Sequence, residues 1–163
     1  MTKRRITLER TYAAPIEDVW DLWTTKEGLE SWWGPHGFTT TVQKLELRVG
    51  GELRCTMTAT GAAEAAFMKK AGMPLATAQR ITYTEVVLHR RLAYTAVADF
   101  IPGIAPYDVA ATVELHPTAD GVRMQLIVDA MHDETWTQRA VMGWESQLGK
   151  LAKILETRSP TKE

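Results

Sequence analysis

The sequence predicts an α+β domain in which a curved antiparallel sheet of six to seven strands wraps around one long C-terminal helix. Three observations carry that prediction. Between Phe38 and Val128 apolar and polar residues alternate in several segments, the period of strands with one dry face. A run from Asp133 to about Glu156 repeats its apolar residues at helical spacing. Two short helical patterns rich in tryptophan stand between the first strand and the rest.

Ile6 to Tyr12 alternates as an opening strand, and Ala14-Pro15 ends it, because proline suits the first turn of a helix. Ile16, Val19, Trp20 and Trp23 then make one apolar stripe, with Glu17 and Asp18 at the positive helix end. Thr24 and Glu27 read as a capping box for a second brief helix to Trp32 and Trp33, which Gly34-Pro35 stops. From Phe38 the period becomes two: Leu45 and Leu47, a Gly50-Gly51 turn, then Leu53, Cys55 and Met57 facing away from Glu52, Arg54, Thr56 and Thr58.

Residues 62–78 break the rhythm with an alanine-rich helical turn or two before Gly72 and Pro74, and read as an insertion or lid. Ile81, Tyr83, Glu85 and Val87 resume the alternation, which turns at His89-Arg90-Arg91 and returns through Leu92, Tyr94 and Ala96. After a loop from Phe100 to Pro106, Val109, Ala111, Val113 and Leu115 pair across an Asp120-Gly121 turn with Val122, Met124, Leu126 and Val128. Asp133 is the predicted N-cap of the last helix, whose stripe is Trp136, Ala140, Trp144, Leu148, Leu151 and Leu155.

Composition narrows the function. The 163 residues read as one domain over 1–158 with a short flexible tail at 159–163. Nineteen basic residues against twenty acidic ones leave a net charge of -1, too little field to gather nucleic acid. Lys3, Arg4 and Arg5 are read as a solvated end. No apolar stretch nears the ~18 residues of a membrane span. Glu9 and Arg10 follow the basic start where a signal peptide would have its apolar core, so the chain is expected in the cytoplasm. The single cysteine, Cys55, forms no internal disulfide and is expected buried and inert.

One helix is too narrow to cover a wide sheet face, so a pocket is expected beneath it, with the short N-terminal helices plugging one end. The expected lining is Trp32, Trp33, Phe38, Leu53, Cys55, Met57, Tyr83, Glu85, Tyr94, Met124, Leu126, Trp136, Ala140 and Trp144. Close packing of the same tryptophans into a filled core is the competing reading.

Ala14-Pro15 with the Val19-Trp20 helix, Trp32-Trp33-Gly34-Pro35 with Gly37-Phe38, Gly50-Gly51, and Gly143-Trp144 with Leu148 and Leu151 occur in an order that resembles the START-like (SRPBCC) superfamily. Within it the chain is most similar to the branch named for the activator of the ninety-kilodalton heat-shock protein ATPase. The resemblance implies a helix-grip fold with an interior cavity, used by different members for lipid or hormone binding, polyketide cyclisation or docking to a chaperone. The insertion at 62–78 departs from the shorter members' pattern.

Catalytic and metal motifs are sparse. Ser31 and Ser146 lie in helices without an evident base, and His36, His89, His116 and His132 are scattered. No cofactor or metal is expected. Strict alternation puts Glu85 on the inner face with Tyr83, where burial would raise its pKa. Glu85 with Tyr83 or Tyr94 is therefore the candidate acid–base set of a cyclase or isomerase, against the alternative that Glu85 bonds an arginine or tyrosine. The expected partner is a small apolar or aromatic molecule. The insertion around Phe67 and Met68 is the candidate protein-docking surface, for a chaperone-type partner or, with an exposed strand edge, a homodimer.

Overall fold

Eleven elements follow one another in a computed structural model that describes residues 4–99, 101 and 103–158. They are β1 (Arg5–Tyr12), α1 (Ile16–Thr24), α2 (Lys26–Trp32), β2 (Phe38–Leu45), β3 (Glu52–Ala59), α3 (Ala62–Lys70), β4 (Ala76–Val87), β5 (Arg91–Ala98), β6 (Tyr107–Pro117), β7 (Val122–Asp129) and α4 (Glu134–Arg158). Lys3 of the basic cluster, Phe100 and Pro102 of the loop, and the tail 159–163 lie outside the described residues.

Consecutive alternating segments pair as antiparallel neighbours, and the first strand returns to the last, giving the sheet order β1-β7-β6-β5-β4-β3-β2. The edges β1 and β2 are joined in sequence by α1 and α2, which pack against one end of the inner face. Val19, Leu22, Trp23, Leu29 and Trp32 meet Leu115, Met124, Leu126, Leu148 and Leu151 there in one core, each 2% exposed or less. An α+β, helix-grip-like architecture results.

Two adjacent threonines explain a shifted boundary. Thr25, not Thr24, caps α2, accepting the Gly28 N–H at 3.0 Å, while the Thr24 hydroxyl donates to Trp20 O as the last residue of α1. Gly28 is required there, because a Cβ would meet the α1 backbone at Asp21 and Leu22. Leu47 falls in the loop before β3, although its side chain still packs on the core.

The alternation of β4 fails at one place. The ladder with β5 shifts between Tyr83 and Glu85, so Tyr83 faces Tyr94 and Glu85 faces Ala93, with Thr84 bulged out. Beyond the bulge the faces exchange: Val86 packs against the core and Val87 is exposed. Within the 62–78 insertion, α3 is a full helix, and its last residues already belong to β4. The Glu64 side chain packs over Gly37 and Gly61, and Gly61 N donates to Gly37 O, which ties the start of α3 to the turn before β2.

Candidate functional site

The stripe of α4 is not uniform. Leu148, Leu151 and Leu155 are buried, whereas Trp136, Ala140, Gly143 and Trp144 on the N-terminal half are only partly covered. The helix is held firmly at mid-length by the turn at Gly34. Gln147 Oε1 accepts from Gly34 N at 2.8 Å, Ser146 Oγ accepts from His36 N at 2.8 Å, and Lys150 Nζ donates to Gly34 O at 2.9 Å. Its start is fixed by Asp133, whose carboxylate accepts the Trp136 N–H, and by Thr137, whose hydroxyl accepts from Met131 N. Between these anchors α4 bridges the concave sheet without filling it.

Two adjoining cavities occupy that span. The larger, about 260 Å³, is lined by Trp33, Pro35, Met57, Gln79, Met131, Trp136, Arg139, Ala140, Gly143, Trp144 and Gln147. The second, about 150 Å³, continues over the sheet past Tyr94, Ala96, Val97, Ala98, Val109, Ala111 and Val128, and shares Gln79, Met131, Ala140 and Trp144 with the first. Their combined size reaches the lower part of the range for small-ligand sites, roughly 300–1,000 Å³. At Gly143 a Cβ would meet no described residue within 4 Å, so among the described residues the helix faces open space there.

Aromatic rings form the inner wall. Trp33 stands edge-on to Trp144 at 5.5 Å and to Tyr94 at 6.4 Å, and behind it Trp23 and Trp32 close the core at 4.6 Å from each other. The Trp32 indole N–H is satisfied by Leu22 O at 2.7 Å. That of Trp33 donates to Gln79 Oε1 at 2.8 Å, from the C-cap of α2 across to β4. Arg139 lies over the Trp136 ring at 4.9 Å.

Of the residues expected to line a pocket, Trp33, Met57, Tyr94, Trp136, Ala140 and Trp144 border the two cavities. Trp32, Leu53, Cys55, Tyr83, Met124 and Leu126 are buried in the closed core behind them, and Phe38 borders neither cavity. Glu85 is a correction. The bulge at Thr84 turns it to the outer face, where its side chain is 42% exposed and accepts from Arg91 Nε at 2.6 Å. Arg91 also bonds Glu114, so the carboxylate belongs to a surface Glu–Arg–Glu cluster.

Tyr83 and Tyr94 therefore have no carboxylate beside them. Their hydroxyls are buried with no partner among the described residues, and burial pushes both phenols above the ordinary range, with Cys55 adding to it for Tyr83 and both Tyr83 and Cys55 for Tyr94. Burial likewise pushes the Cys55 thiol from 9.0 to about 12. Such groups remain protonated and serve as walls and donors, not as nucleophiles. Among the described residues no group of three His, Cys, Asp or Glu is placed to hold a metal ion. No described helix is long and apolar enough to cross a membrane. In α3, Met68 is buried and Phe67 is exposed, and neither lines the cavities.

Gln79, Arg139 and Gln147 are the polar lining that sequence reasoning missed. Gln79 had a signal, since its position two residues before Ile81 puts it on the inner strand face. Arg139 and Gln147 flank the α4 stripe and gain meaning only from what lies across the gap.

The chain's relatives share this architecture. The family model described as Activator of Hsp90 ATPase homolog 1-like protein matches residues 13–156. No curated protein matches the sequence. Among solved structures, a protein from Chromobacterium violaceum is 25% identical with a TM-score of 0.76, covering 94% of this chain and 98% of its own. An AHSA1-like protein from Aeromonas hydrophila is 21% identical with a TM-score of 0.73, covering 98% of both chains. The AHSA1 protein from Silicibacter pomeroyi is 19% identical with a TM-score of 0.71, covering 95% of this chain and 99% of its own.

Proposed function

This chain belongs to the Activator of Hsp90 ATPase homolog 1-like family, and from that premise we propose that it is a noncatalytic binding protein for a small apolar or aromatic molecule. One observation carries the reading: the helix stripe that is buried at Leu148, Leu151 and Leu155 opens at Ala140, Gly143 and Trp144 over a cleft walled by Trp33, Met57 and Tyr94. Tryptophan faces left partly uncovered over a concave sheet are apolar surface that a guest would remove from water.

A cyclase or isomerase in the same space needs a base near the guest. Among the described residues the cavity lining holds no Asp, Glu or His, and Glu85, the candidate base, is engaged with Arg91 outside. The binder is accordingly the better-supported reading. Native mass spectrometry of the protein purified under gentle conditions tests it. A stoichiometric small-molecule adduct, absent from Gly143→Leu, is the expected result. An adduct-free protein whose melting temperature no apolar compound raises would refute it.

A further inference from the structure

The polar side chains of the larger cavity, Gln79, Arg139 and Gln147, keep donors unengaged. Gln79 Oε1 is committed to the Trp33 indole N–H, with the Cys55 thiol at 3.8 Å, and Gln147 Oε1 is committed to Gly34 N–H. Because both partners can only donate, the orientation of each side-chain amide is fixed, and the half with no hydrogen bond is the NH2 group. Among the described residues no acceptor bonds either one. Arg139 completes the set: its guanidinium stacks on Trp136, and no described carboxylate lies within ion-pair distance of it. Among the described residues the lining contains no Asp or Glu to balance that charge.

We infer that the cavity takes an anionic amphiphile, an aromatic or short acyl carboxylate, with its head at Arg139 and its apolar body between Trp33 and Trp144. This rests on the binding role proposed above and specifies the class of guest. A carboxylate supplies only acceptors, matching the unengaged amide NH2 groups of Gln79 and Gln147 and the guanidinium, which binds it through two parallel hydrogen bonds. A cation would face the Arg139 guanidinium, and a neutral head would leave that charge unmatched. The second cavity, walled by Ala96, Val109, Ala111 and Val128, extends the space for an apolar tail.

A matched pair of probes separates the head from the body: 2-naphthoic acid and 2-naphthamide, titrated by calorimetry at pH 7.5 into the full chain. The acid is expected to bind about tenfold more tightly than the amide. Arg139→Gln, which keeps most of the stem, should remove that preference by weakening the acid more than the amide. Gly143→Leu should weaken both probes together. Equal or tighter binding of the amide, or a preference that survives Arg139→Gln, overturns the anionic guest while leaving an apolar binder standing. Failure of both probes to bind overturns the inference, and the adduct measurement then decides the binding role separately.

Discussion

The indole N–H of Trp33 donates to Gln79 Oε1 at 2.8 Å, joining the C-cap of α2 to the inner face of β4 across the back of the cavity. This bond sets the position of the ring that faces Trp144 and at the same time determines which half of the Gln79 amide is left over. Gln79→Leu leaves a part-buried indole donor without its acceptor. It should cost about 1–3 kcal/mol of stability by urea unfolding, with a changed tryptophan fluorescence spectrum in the folded state.

Gly143 is the position where filling the cavity and stabilising the helix go together. A glycine inside a helix costs about 1 kcal/mol relative to alanine, and no described residue lies within 4 Å of a Cβ built there. Gly143→Ala should raise the unfolding free energy by about 1 kcal/mol. Gly143→Leu should keep or exceed that gain while occupying the space, so that the melting temperature rises and apolar ligands no longer raise it further. A melting temperature below wild type for both variants would show that the helix face is closed in solution.

Glu85 makes the opposite prediction. Its side chain and that of Arg91 are 42% and 39% exposed, and exposed ion pairs are worth about 0–1 kcal/mol. Glu85→Gln should shift stability by less than about 1 kcal/mol and leave binding to the cavity unchanged in calorimetric titration.

Alkaline pH should weaken the fold in a defined window. Burial pushes the Cys55 thiol up from 9.0 to about 12 and the Tyr12 phenol up from 10.0 to about 12, with Tyr83 and Tyr94 also raised. The unfolded chain releases these protons first, so the folded state binds more of them above pH 9. Stability is then complete below pH 9 and falls as pH rises from 9 towards 12. The slope approaches about 1.4 kcal/mol per pH unit for each group engaged. Cys55→Ala should move the onset to about pH 10, where the tyrosines begin, as read from urea unfolding across pH 7–11.

The order of elements was legible because each strand keeps its period and each turn carries its glycine or proline. Asp133 was recognisable as the α4 cap by the same local logic. The site was legible only in part. Trp33, Trp136, Ala140 and Trp144 could be named because a single stripe on one helix, and one tryptophan pair, had to meet the sheet. Glu85 was misplaced because alternation assumes an unbroken ladder, and the bulge at Thr84 reverses the faces after Tyr83; the adjacent Val86 and Val87 are the trace that reversal leaves in the sequence. Gln147 and Arg139 carry no local signal, since their roles depend on the Gly34 turn and the Trp136 ring, which only the tertiary fold brings to them.

Backbone amide shifts recorded while 2-naphthamide, an uncharged probe, is titrated into the isotope-labelled protein test the vacant span most directly. The account predicts perturbations concentrated at Trp33, Met57, Gln79, Ala140, Gly143 and Trp144, with α3 and the β1 edge silent. Saturating shifts scattered over the outer surface, or none at all, would mean that α4 leaves no usable space above the sheet.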